Sequence, residues 1–209
     1  MMNRVTRNLI WVGVSLCLLL LWGCANTPPS KFYILTPIPS SEQKPIGGVG
    51  DAALAIGIGP IELPGYLDRP HIVKRSSSHE LHLGEFHKWA EPLKGNVTRV
   101  LAENLSVLLS TDQLYLFPWK RSAHFDYQVV VRITRFDTSS EGEAILNARW
   151  EIRGNDEIDG LAIRRSHFRT IVGGARYQDT VAAMSQNLED LSRALATTIK
   201  SLNEKQPEI

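Results

Sequence analysis

From residue 125 to residue 134, Phe125, Tyr127, Val129, Val131 and Ile133 alternate with Asp126, Gln128, Val130, Arg132 and Thr134. Successive side chains on a strand point to opposite faces, so this run demands a sheet with one dry face and one wet face. A chain that contains it must also supply neighbouring strands and a layer to cover the dry side. Residues 143–153 and 164–172 read as two such neighbours, and the turn chemistry of residues 154–160 between them makes the three a meander. The cover comes from two helices. Behind Pro92, residues Val97, Val100, Leu101, Asn104, Leu105, Leu108 and Leu109 recur at spacings of three and four, which predicts a helix to about Ser110. Val181, Met184, Leu188, Leu191, Leu195, Thr198 and Leu202 predict a longer second helix, with Glu189, Asp190, Arg193 and Lys200 on its other faces. The fold class that buries all of these surfaces is α+β, an antiparallel sheet with two main helices packed on one face.

The first half of the chain adds shorter strands. Residues 32–35 form one, followed by a loop rich in Ser, Gly and Pro over residues 40–50, and residues 53–63 form the next. Gly57, Gly59 and Pro60 within that segment predict a bulge or an edge position, because proline brings no ladder donor. Pro64-Gly65 is a turn, residues 66–70 lead out of it, and residues 71–75 pair with 80–83 across Ser76, Ser77 and Ser78 as a hairpin. Residues 114–117 make a further short strand.

Ahead of all this, residues 9–22 carry no charge and follow Arg4 and Arg7. A bilayer-spanning helix needs about 20 apolar residues, so the run has the layout of a secretory signal. It ends at Leu21-Trp22-Gly23-Cys24, which resembles a lipobox whose cysteine is lipidated on its thiol and becomes the acylated (palmitate-bearing) N-terminus after cleavage. A tethered signal anchor, or a cleaved chain in which Cys24 is incidental, would use the same run. Ala25 stands where lipoproteins kept in the inner membrane carry aspartate, so resemblance to that sorting rule implies the outer membrane, with the domain on the periplasmic side. The organisation expected is a signal peptide (1–23), a lipidated cysteine and Pro-containing linker (24–30), one α+β domain (31–202) and a tail (203–209) that frays.

Cleavage leaves 186 residues with 21 basic and 22 acidic side chains, a balance of −1. No basic run or face points to nucleic acid. Beyond Cys24 there is no cysteine, so an oxidising compartment is met without a disulfide and thiolate chemistry is excluded once that thiol is acylated. Catalytic motifs are missing. Gly57-Ile58-Gly59-Pro60 lacks the third glycine of a dinucleotide loop, and no Gly-x-Ser-x-Gly elbow occurs. His79-Glu80-Leu81-His82 is one residue short of a zinc-protease signature, and on a strand its histidines face opposite ways. The carboxylate groups Glu141 and Glu143, and Asp156, Glu157 and Asp159, fall in turns and read as solvated charge. No catalytic, cofactor-binding or metal-ligating residue is therefore assigned.

The run from Ile56 through Gly57, Gly59, Pro60, Pro64, Gly65, Tyr66, Leu67, Asp68, Arg69 and Pro70 to Arg75, then Trp89-Ala90-Glu91-Pro92-Leu93 and an aliphatic helix, resembles the ABC-type transport auxiliary lipoproteins, and among them the PqiC (YmbA) group. With Phe32-Tyr33-Ile34-Leu35-Thr36-Pro37 at its start, the resemblance spans nearly the whole mature chain. It implies a non-enzymatic outer-membrane lipoprotein that works with inner-membrane-anchored MCE-domain proteins in lipid movement across the periplasm, docking the distal end of their tube, as a homo-oligomeric ring. Tyr66, Arg69 and Trp89 are the candidate partner contacts, since aromatic residues and arginine combine contact area with hydrogen bonding. Two other roles fit the same residues: a periplasmic lipid carrier with its own acyl-chain pocket, and a structural lipoprotein that braces an envelope assembly.

Overall fold

The computed structural model describes residues 28–39, 54–119, 123–154 and 160–205. The signal peptide, Cys24, the loop 40–50, most of the 154–160 turn and the end of the tail lie outside the described residues. In chain order the elements are β1 (Lys31–Tyr33), β2 (Ile56–Glu62), a 3-10 turn (Gly65–Leu67), β3 (His71–Arg75), β4 (Leu81–Trp89), α1 (Leu93–Leu109), β5 (Leu114–Leu116), β6 (Tyr127–Thr138), β7 (Glu143–Gly154), β8 (Ala162–Ile171) and α2 (Tyr177–Asn203).

The α+β class holds, and the eight strands form one sheet, but that sheet is mixed where an antiparallel one was expected. The meander is antiparallel: β6 pairs with β7 and β7 with β8, residue by residue. The other edge of β6 carries two segments in succession, both parallel to it. β2 lies along Tyr127 to Arg132, and β3 joins at Thr138. Residues 63–70 are the excursion between those two segments, so β2 and β3 behave as one strand with an arm looped out of its middle. Beyond them β5 runs parallel to β2, because α1 carries the chain back across one face before it returns; β4 hairpins onto β3, and β1 closes the far edge parallel to β4. Hydrophobic alternation specifies which face of a strand is dry and leaves the pairing direction open, which is why the parallel pairs were not foreseen.

The bulge expected in β2 is present, as a register shift between Ile58 and Ile61, but β2 is an interior strand, flanked by β6 and β5. Proline is tolerated there because β5 pairs only with Ile56, Gly57 and Ile58, so Pro60 has no ladder partner to disappoint on that side.

Both helices pack on one face and against each other. Ile56, Ile58 and Ile61 of β2, Val129, Val131 and Ile133 of β6, and Leu146, Ala148, Trp150 and Ile152 of β7 meet Val97, Val100, Leu101 and Leu105 of α1 and Leu188, Leu191, Leu195 and Ile199 of α2 in a single core. The polar member of the α1 stripe, Asn104, is fully buried and accounts for itself: its Oδ1 accepts from the Ile38 backbone N–H at 2.8 Å and its Nδ2 donates to Ser192 Oγ at 3.0 Å. Thr36 N–H donates to Ser185 Oγ at 3.1 Å, and Leu35 and Ile38 are buried. Residues 35–38 are thus a strap laid over the helix pair. At its start Tyr33 OH and His87 Nδ1 share a 2.7 Å hydrogen bond, and the His87 ring stacks on Tyr177 at 3.7 Å.

Candidate partner-binding surface

The arm, residues 63–70, is held from below by one carboxylate. Asp137, with no exposed side-chain surface, accepts from Tyr66 OH at 2.8 Å and pairs with Arg135 Nε at 2.8 Å and Arg75 Nε at 3.3 Å. Burial, first, and then the hydrogen bond to Asp137 and its charge push the Tyr66 phenol up to about 12, so it stays a donor. Arg75 also leans over the Tyr66 ring, 5.7 Å from its centroid. At the far end of the arm the Trp89 backbone N–H donates to Pro70 O at 2.7 Å. The three residues picked from the sequence play different parts. Trp89 is 5 % exposed and belongs to the core; Tyr66 is half-buried and packs against that core; Arg69 is half-buried, and its Nε is enclosed without a hydrogen-bond partner among the described residues.

The face of the sheet opposite the helices holds groups that sequence reasoning missed. Gly57 and Gly59 alternate with the core residues Ile56 and Ile58, and aromatic rings occupy the space that side chains would take: Phe125 lies 3.1 Å from where a Gly57 Cβ would stand, and Phe117 Cβ lies 2.6 Å from that of Gly59. With Trp119 edge-on to both, at 5.3 Å and 4.9 Å between centroids, they form an aromatic platform in which Phe117 is exposed. The glycine pair in β2, read as a bulge signal, was equally a sign of rings lying on the backbone.

Further across the same face, Arg132 of β6 stands opposite Arg149 of β7, which stands opposite Arg165 of β8. Arg132 meets Glu62 Oε2 at 2.6 Å. Glu151 is committed to Arg153, whose hydrogen bonds come first among the causes that hold its carboxyl below the usual range, and Glu143 is paired with Arg169. The position parities of 132, 149 and 165 would have suggested this row had the strand registers been known. Among the described residues no group of three or more His, Cys, Asp or Glu is placed to hold a metal ion, and no helix is long and apolar enough to cross a membrane.

Among solved structures the chain resembles an uncharacterised protein at 17% identity and TM-score 0.66, covering 82% of this chain and 99% of that one. It also resembles a Xanthomonas campestris protein of the DUF330 family at 15% identity and TM-score 0.68, covering 85% and 99%. At such identities the likeness is one of fold. No curated protein sequence matches the chain. The family evidence comes from residues 33–196, which run from the last residue of β1 into α2 and match the family described as ABC-type transport auxiliary lipoprotein component. A match over that much of the sequence, on a fold whose strap, arm and first helix are segments that carried the resemblance, makes this chain a member of the ABC-type transport auxiliary lipoprotein family.

Proposed function

We propose that the protein is an outer-membrane-anchored periplasmic lipoprotein that docks or caps an MCE-domain intermembrane lipid-transport complex. The observation that carries this reading is the family match, which makes the chain an auxiliary component beside a transporter. Acyl chains on Cys24 hold it to one leaflet, each buried methylene contributing about 0.8 kcal/mol. Residues 24–30 span at most about 25 Å fully extended, so the domain works close to that surface. The interior between sheet and helices is filled by Ile, Leu, Val and Trp side chains. That packing favours an adaptor over a carrier that encloses an acyl chain in its own core.

The arm is the contact we assign. It loops out between two prolines, carries the half-buried Tyr66, and contains in Arg69 a buried Nε that lacks a hydrogen-bond partner among the described residues. Trp89, buried in the core, holds the end of the arm through its backbone bond to Pro70. Several copies would assemble around one transport tube as a homo-oligomer. In-cell crosslinking of the full-length, lipid-modified protein, followed by detergent purification and mass spectrometry, tests the reading. An MCE-domain protein among the adducts is the expected result. Lipid alone would replace the adaptor by the carrier, and an unrelated envelope complex would replace it by the brace.

A further inference from the structure

Arg132, Arg149 and Arg165 are direct cross-strand neighbours on the open face of the sheet. Adjacent strands lie about 4.8 Å apart, so three guanidinium-bearing side chains rise from a row about 10 Å wide. Like charges placed opposite one another destabilise a sheet. Glu62 offsets the charge of Arg132, and Glu151, though hydrogen-bonded to Arg153, lies close enough to feel the charge of Arg149; among the described residues neither Arg149 nor Arg165 has a carboxylate within ion-pair distance. A hollow of about 470 Å³ opens among these three arginines, with Thr134, Asn147 and His167 completing its wall. Arg169 Nε donates to His167 Nε2 at 2.6 Å, so the other ring nitrogen, Nδ1, is the donor in its short hydrogen bond to Asn147 Oδ1. That fixes the orientation of the Asn147 amide and leaves its N–H pair as donors beside the arginines.

We infer that this hollow is a binding site for a phosphate group, held by Arg149 and Arg165 with help from Arg132 and Asn147. A flat carboxylate is satisfied by one arginine fork; the oxygens of a phosphate surround a tetrahedral centre and are reached from three sides by arginines standing on three strands. Bound phosphate also removes the like-charge repulsion that the row otherwise carries. The site touches the chain just before the arm through the Arg132–Glu62 pair, but it does not rest on the docking reading. Two sources share the chemistry: a soluble phosphomonoester and the headgroup of an anionic phospholipid.

The test uses the full-length lipid-modified protein in a neutral detergent at constant ionic strength, reading the arginine Nε–Hε NMR signals of Arg149 and Arg165. Glycerol 3-phosphate, dihexanoylphosphatidylglycerol and a glutamate octapeptide are titrated separately. Saturable shifts with glycerol phosphate support a soluble source, and shifts with the short-chain lipid alone support a headgroup. In either case R149Q/R165Q binds roughly tenfold or more weakly, while its thermal midpoint is unchanged or raised because like charges have been removed. R149K/R165K keeps the charge, loses the forks and falls between. Silence of both signals to either phosphate up to about 10 mM overturns the site, as does a response to the glutamate peptide alone. Wild-type affinity in R149Q/R165Q overturns it equally.

Discussion

Asp137 is the residue on which the arm turns. Its carboxylate is enclosed by Tyr66, Arg75 and Arg135, so Asp137→Ala leaves two arginine charges facing a vacated, dry position. Removing one partner of a buried ion pair costs about 3 kcal/mol or more, and urea unfolding should show that loss as a lower midpoint at unchanged slope. Tyr66 adds a pH signature. Its phenol stands at about 12 in the fold against an ordinary 10.0, so its contribution is complete below pH 10 and is lost as pH climbs from 10 through 12. Tyr66→Phe should flatten that part of the alkaline stability profile, measured by thermal melting across the range. Gly59 is a second test at this scale. Its φ of +117° and the Phe117 Cβ 2.6 Å from any added methyl group predict that Gly59→Ala destabilises by about 2 kcal/mol.

Among the elements, the strap and the two helices form a unit. Asn104 joins Ile38, α1 and Ser192 of α2, so Asn104→Ala strips a backbone donor and a hydroxyl of their buried partner at once. A cost of about 2–3 kcal/mol follows, and hydrogen exchange at the Ile38 amide should accelerate more than exchange in β7. Leu188→Ala, which empties part of the shared core and leaves the strap's hydrogen bonds in place, should cost about 2–5 kcal/mol and lower protection throughout. This scale also shows what could be read in advance. The spacing of three and four in Val97 to Leu109 and in Val181 to Leu202, and the alternation through Tyr127 to Ile133, identify α1, α2 and β6 because burial imprints its period directly on the chain. Pairing direction leaves no such imprint, so the parallel placement of β2, β3 and β5 had to come from the folded chain. The arginine row was invisible for the same reason: Arg132, Arg149 and Arg165 are unremarkable singly and become neighbours only through two strand registers. Trp89 illustrates the opposite case, since an aromatic residue before a helix start signals contact without saying whether the contact is with the core or with a partner; here it is the core.

The whole molecule is a helix-covered sheet with an arm looped out between β2 and β3 and an arginine row on its open face. The auxiliary role follows from the family to which residues 33–196 belong. The most direct test of docking places a photoreactive amino acid at Asp68, an exposed residue on the arm between Tyr66 and Arg69, in the full-length lipid-modified protein at native expression level. Irradiation in cells is predicted to join it covalently to an MCE-domain protein, and the adduct should vanish when the reactive group is moved to the exposed Glu204 at the end of α2. Adducts of equal yield at both positions, or capture at Asp68 of lipid or an unrelated envelope complex alone, would contradict it.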